Sequence, residues 1–281
     1  MVTNSICIFA SELAVITGHN PFQKINDIYL KLWKKQYPED YAEMVEKYVA
    51  ETNTEVLEET PKECINRIAK SNNILKDVVC DLEKCLNTTD VKTMTNIKAA
   101  ILKKCDEKVK TPKDRQLIKE CVSNMANTNF GTKHENSAVI EYQNQTGDTV
   151  NMIDKFLKKS LYKTKTNIWY IGGRVDGLND DNVVIEIKNR VNKLFYNLRD
   201  YEKVQTYAYM YILETSKAKL VESYKQKNNI TINIIDVDYD ETFWTSSIDS
   251  KIKIFIKTFE KTMRSEQLKM ELIGELFGTH S

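Results

Sequence analysis

Residues 183–188, Val-Val-Ile-Glu-Ile-Lys, leave this chain few ways to fold. The run is too apolar for a loop and too short for a helix, and it reads as a β-strand. The two-residue period of a strand then sends Glu186 and Lys188 to one face and Ile185 and Ile187 to the other. Neither charge can be buried alone without a large desolvation cost, so the pair needs mutual compensation, a metal ion or water. Glu-x-Lys occurs only here in the 281 residues, and the Asp-x-Lys triplets at Asp90, Asp106 and Asp249 fall in helical or irregular contexts.

Residues 167–178 carry a second β pattern, separated from the first by the turn-prone Asn179-Asp180-Asp181-Asn182, so the two form a hairpin. A loop over 180–182 pairs Asn179 with Val183 and places Asp176 opposite Glu186 on the same face. A longer loop puts the acids on opposite faces unless a bulge at Gly177 restores the phase.

The rest of the pattern supplies layers for such a sheet. Residues 4–36 read as two helices broken at Gly18-His19-Asn20-Pro21, with Ser11 placed either to cap the first or to meet a phosphate. From 40 to 128 the chain reads as successive amphipathic helices, broken near Thr60-Pro61, Asn87 to Asp90 and Thr111-Pro112. Residues 131–145 predict a helix starting near Gly131, with Glu135 in its first turn and His134 at the surface beside it. A lysine run over 155–165, five lysines and no acid, reads as a solvated helix face. After the hairpin come an apolar helix over 200–215, a strand over 230–237 and a final helix over 245–272. This order predicts an α/β fold, a mixed sheet covered by helices, with a large helical insertion in the N-terminal half. The expected parts are 1–36, an N-terminal helical part of the catalytic unit; 37–128, the inserted lobe; and 129–281, the core with its C-terminal helix.

Composition narrows the function. No apolar run reaches the roughly 20 residues of a membrane span, and the first residues lack the basic start of a secretory signal, so an intracellular protein without membrane contact is expected. The six cysteines form no Cys-x-x-Cys pair, which leaves no zinc ribbon or iron-sulfur motif to read. The net charge of +1 neither demands nor excludes nucleic acid. Two carboxylates converging on one point, with the Ile187 carbonyl beside them, are the hard oxygen donors that Mg²⁺ or its substitute Mn²⁺ prefers. Glu135 is expected to complete the site or hold a second ion. Arg174, next to the acids, is a candidate phosphate contact and Arg190 a weaker one. Tyr207, Tyr209 and Tyr211 read as core packing with hydroxyls reaching polar partners.

Several segments together, FASELAVITGHNPF, GTKHENSAVIEY, GGRVDGL, VVIEIKNR and VQTYAYMYIL, resemble in content and order the PD-(D/E)XK nucleases, within them the phage lambda exonuclease and YqaJ-like viral recombinase branch. The resemblance implies a restriction-endonuclease-like core and Mg²⁺-dependent 5′→3′ degradation of one strand of duplex DNA. It implies a role in viral or phage-type recombination, repair or genome processing, with a single-strand annealing protein as partner and a homo-oligomer as one state. Residue by residue, it implies Asp176 and Glu186 as metal ligands, Lys188 as the water-activating group, and Glu135 as the helix carboxylate. Gln205 would be the glutamine on the helix after the hairpin, and Ser11 a serine at the terminal phosphate. Residues 1–12 hold no Lys or Arg, where the family pattern has an arginine for that phosphate. Rival expectations are a structure-specific or single-strand endonuclease on the same core, a catalytically silent nucleic-acid-binding module, and an all-helical scaffold with an incidental hairpin.

Overall fold

From the N-terminus the chain forms β1 (Asn4–Phe9), α1 (Ala10–Ile16), α2 (Ile25–Gln36), α3 (Pro38–Thr52), α4 (Pro61–Ser71), α5 (Leu75–Asn87), α6 (Val91–Lys108) and α7 (Pro112–Thr146). It continues through β2 (Val150–Met152), β3 (Leu157–Lys163), β4 (Asn167–Gly173), β5 (Gly177–Asn179), β6 (Val184–Arg190), α8 (Asp200–Leu213), β7 (Lys217–Gln226) and β8 (Asn229–Asp238). The C-terminal part is α9 (Glu241–Phe243), a π-helical turn over Trp244–Asp249, α10 (Ser250–Met263) and α11 (Glu266–Phe277). This computed structural model describes residues 4–54, 56, 58–226 and 229–277.

The strands make two sheets, β1-β4-β3 and β2-β5-β6-β7-β8, joined where the chain leaves β4 and enters β5. In the larger sheet β6 and β7 run parallel, with α8 as the crossover between them, and β7 and β8 form an antiparallel hairpin. Helix α7 lies on one face of β6 and β7, where Ala138, Val139 and Tyr142 pack on Ile185, Ile187 and Val221. A larger core gathers α1, α2, α3, α8 and α10 around Trp33, Trp169, Tyr207, Phe255 and Phe259. A third core lies wholly within α4 to α7, from Cys64 to Phe130. The expected mixed sheet covered by helices is therefore present, and an all-helical scaffold is excluded.

Helix starts follow local chemistry. Thr60 and Glu63 form a reciprocal capping box ahead of α4, Asp90 accepts the Thr93 N–H at the start of α6, and Thr111 accepts the Asp114 N–H at the start of α7. All three stops lie where the sequence predicted breaks.

Six readings need correction. Residues 4–9 are a strand, not part of a helix: Ile6 and Ile8 are buried and alternate with more exposed neighbours, and β1 pairs in parallel with β4. Four apolar residues in a row hid that period of two. The lysine run is β3, which lies at a sheet edge, where lysines keep their charges in water and discourage further pairing. Residues 217–226 form the strand β7, masked in the sequence by the buried polar pair Glu222 and Ser223. Helix α7 does not start at Gly131 but is 35 residues long, so Glu135 and His134 sit mid-helix, and His134 is buried against Phe130. The C-terminal helix is split at Arg264-Ser265 into α10 and α11. Helix α3, grouped with the lobe on sequence, packs through Tyr41, Met44 and Tyr48 into the larger core. No helix of the described residues is long and apolar enough to cross a membrane.

Candidate active site

The hairpin has the expected register: Gly177 faces Ile185 and Leu178 faces Val184. Its turn is held by Asn179, whose side-chain oxygen accepts the N–H groups of Asp181 and Val183, and Asn182 closes it at φ 60°. Pairing stops at Gly177, so beyond Ile185 the β5-side edge of β6 has no strand on it. Asp176 fills that gap by accepting the Ile187 N–H at 2.7 Å. The N–H and C=O of one strand residue point the same way, so the Ile187 carbonyl faces the same open edge.

Glu186, Lys188 and Arg190 share the face of β6 that α8 covers. Glu186 is only 3% exposed; its Oε1 accepts from Lys188 Nζ at 2.7 Å, while its Oε2 is buried with no hydrogen-bond partner among the described residues. Burial, and then the nearby Asp176 charge, push the Glu186 carboxyl up to about 7 although Lys188 pulls the other way. Lys188 Nζ also donates to Gln205 Oε1 at 2.9 Å, and Gln205 is oriented by its Nε2 donating to the Tyr209 hydroxyl at 3.1 Å. Burial opposes the Lys188 charge, but Glu186 and Asp176 more than offset it, so its pKa lies above the ordinary lysine value.

Glu135 comes from α7, the helix on the opposite face of β6, and its carboxylate is within electrostatic reach of Glu186 and Lys188. Burial and then Glu186 raise its pKa. Asp176 is raised as well, by burial first, against the lowering effect of the Ile187 N–H and Lys188. Asn189 Nδ2 donates to the Gly131 carbonyl at 2.9 Å and ties β6 to the turn of α7 that precedes Glu135. Burial above all thus makes three carboxylates hold their protons more tightly than usual around one ammonium.

The remaining candidates lie at the border. Ser11 is exposed in the first turn of α1 and caps nothing; Glu12 accepts the Phe9 N–H instead, at 2.9 Å. The start of α1 reaches the site because Gly173 lets it: a Cβ there would stand 2.8 Å from the Tyr209 ring and 3.3 Å from Ala10 Cβ. Two lysines of α2 lie near this start: the Lys31 ammonium is 3.6 Å and that of Lys35 5.7 Å from the Phe9 ring centre, and Lys31 is paired with Glu12. Arg174 is exposed in the link between the sheets.

Arg190 is not a phosphate contact. It is buried between Glu202 of α8 and Glu222 of β7, with bonds of 2.6 and 2.8 Å. Neither acid stood out in the sequence, because the strand carrying Glu222 was itself unread. Tyr207 and Tyr209 behave as expected, packed in the core with hydroxyls on polar partners.

Oxygen donors, a buried carboxylate oxygen without a partner and an open-edge carbonyl together fit a hard divalent cation. Among the described residues no three acidic, His or Cys side chains are yet gathered closely enough to hold one. The reason is local: Asp176 is engaged with the Ile187 N–H and one Glu186 oxygen with Lys188.

The model of the YqaJ-like viral recombinase domain family matches residues 6–218. The chain belongs to that family. The match takes in the helical lobe and the sheet up to the start of β7, and family and architecture together give the restriction-endonuclease-like fold. Among solved structures the family member is similar to the alkaline exonuclease LHK-Exo from Laribacter hongkongensis, at 15% identity over 78% of this chain and 94% of that one, with a TM-score of 0.40. It is also similar to a phage-related exonuclease from Haemophilus somnus, at 10% identity over 96% of each chain and a TM-score of 0.38. No residue assignment rests on likenesses at that level. No curated protein matches the chain.

Proposed function

We propose that the chain is a divalent-metal-dependent deoxyribonuclease, acting as a 5′→3′ exonuclease on duplex DNA in viral or phage-type recombination or genome processing. The observation that carries this reading is the buried Glu186 oxygen without a partner, beside an ammonium that Gln205 holds in place. Family membership agrees with it.

Glu186, Asp176 and the Ile187 carbonyl would hold Mg²⁺ or Mn²⁺, with Glu135 at the same ion or a second one. An ion held there would polarise a phosphoryl oxygen and lower the pKa of a bound water. Lys188 has three N–H bonds and uses two of them on Glu186 and Gln205; the third is left to orient the attacking water toward phosphorus. Gln205 keeps that ammonium from swinging onto Glu186 alone. Ser11 and Arg174, exposed at the border, would take backbone phosphates.

The test is digestion of linear duplex DNA labelled at each end in turn, beside a covalently closed circle, with wild type and Lys188→Ala. Mg²⁺-dependent release of 5′ label, lost in the variant and absent from the circle, supports the exonuclease. Cutting of the circle moves the reading to an endonuclease, and no cleavage of any substrate moves it to a binding module.

A further inference from the structure

The loop over 191–199 joins β6 to α8 and begins three residues after Lys188. Tyr196 within it is 70% exposed and holds φ at 58°, in the left-handed region that a bulky side chain rarely enters. Buried groups impose that conformation. Glu222, wholly inaccessible, accepts the N–H groups of Phe195 and Tyr196 at 3.2 and 2.8 Å and is itself pinned by Arg190 and by Asn233 Nδ2 at 3.1 Å. The Phe195 ring has the Arg190 and Arg199 guanidiniums 4.4 and 3.6 Å from its centre. A strained backbone fixed this firmly, with its aromatic ring left in water, is a ring presented for contact.

Asn192, near the start of the same loop, lines a cleft of about 460 Å³ together with Lys92 and Asn96 of α6 and Tyr224 and Lys225 of β7. Among the described residues neither lysine is within salt-bridge distance of an acid, and both act electrostatically on the Asp90 carboxylate. Asp90, the one acid in the lining, has its carboxylate on the Thr93 N–H at 2.7 Å. Two ammoniums against one carboxylate, side-chain amides and a rigid exposed ring are the elements of a single-strand platform, where phosphates meet the cations and bases stack.

We propose that this loop and cleft hold a single-stranded nucleic-acid segment beside the candidate active site, with the Tyr196 ring stacked on a base and Lys92 and Lys225 on phosphates. The proposal rests on the nuclease reading for the nature of its ligand.

The test compares wild type, Tyr196→Ala, Tyr196→Gly, Tyr196→Phe and the double variant Lys92→Gln/Lys225→Gln. Binding of a fluorescein-labelled single-stranded oligonucleotide is followed by anisotropy with Ca²⁺ in place of Mg²⁺, and stacking by quenching of 2-aminopurine. Tyr196→Ala and Tyr196→Gly should weaken binding by roughly 5- to 150-fold and lose the quench. Tyr196→Phe should keep both. The lysine double variant should flatten the slope of log K against log salt by about 1.4, as two lost phosphate contacts require. Because glycine relieves the strain at a positive φ, Tyr196→Gly should melt no lower than wild type, so its lost binding comes from the ring and not from misfolding. Wild-type binding and quench in both Tyr196→Ala and Tyr196→Gly overturn the proposal, as does a Tyr196→Phe variant as weak as Tyr196→Ala. Tyr196-dependent binding without any Mg²⁺-dependent cleavage overturns the nuclease reading and leaves the platform standing. Cleavage with Tyr196-independent binding overturns the platform alone.

Discussion

Replacing Glu186 with glutamine should stabilise the protein at pH 8 while weakening the proposed metal site. The buried carboxyl titrates at about 7 against an ordinary 4.5, and that difference already includes the help of Lys188. The native state therefore keeps this proton to higher pH than the unfolded chain does. The stabilisation is full below pH 4.5 and is lost as pH rises through 7. At about 1.4 kcal/mol per pKa unit, the ionised carboxylate costs roughly 3 kcal/mol at pH 8 and under about 1 kcal/mol at pH 5. A neutral amide avoids the cost and still offers Lys188 an oxygen. Glu186→Gln should therefore exceed wild type by about 3 kcal/mol in urea unfolding at pH 8 in EDTA, or roughly 6 °C in Tm for a chain of this size. The gap should nearly close at pH 5. Mg²⁺ at pH 8 should raise wild type more than the variant, which lacks one of the proposed carboxylate ligands. A variant no more stable than wild type at pH 8 in EDTA would refute the claim that Glu186 is held charged at a cost.

Two further outcomes follow from the same contacts. Arg190→Met leaves Glu202 and Glu222 buried without their cation, so the urea midpoint should fall by the equivalent of about 3–5 kcal/mol at pH 7; a loss within about 1 kcal/mol would mean the two acids do not depend on it. Gln205→Leu removes one of the two side-chain acceptors that fix Lys188 Nζ, and should slow cleavage about 10- to 100-fold with DNA binding in Ca²⁺ unchanged; a wild-type rate would show that Lys188 needs no such orientation.

The sequence by itself determined what depends on neighbours a few residues away. Alternation in Val-Val-Ile-Glu-Ile-Lys put Glu186 and Lys188 on one face, and the Asn-Asp turn set the register that brings Asp176 alongside, because strand period and loop length are local quantities. The helix breaks at Thr60-Pro61 and Thr111-Pro112 were legible for the same reason. Local pattern failed where a partner decided the outcome. β1 is a strand because β4 offers it an edge, and the lysines of β3 are tolerated because that strand lies at a margin. β7 can bury Glu222 because Arg190, Asn233 and two loop N–H groups converge on it. Only the tertiary structure brought Glu135, from the middle of an uninterrupted helix on the far face of the sheet, within electrostatic reach of Glu186 and Lys188. Burial, a property of the whole packed core, with the Asp176 charge after it, raised Glu186 to about 7, and burial left one of its oxygens without a partner among the described residues.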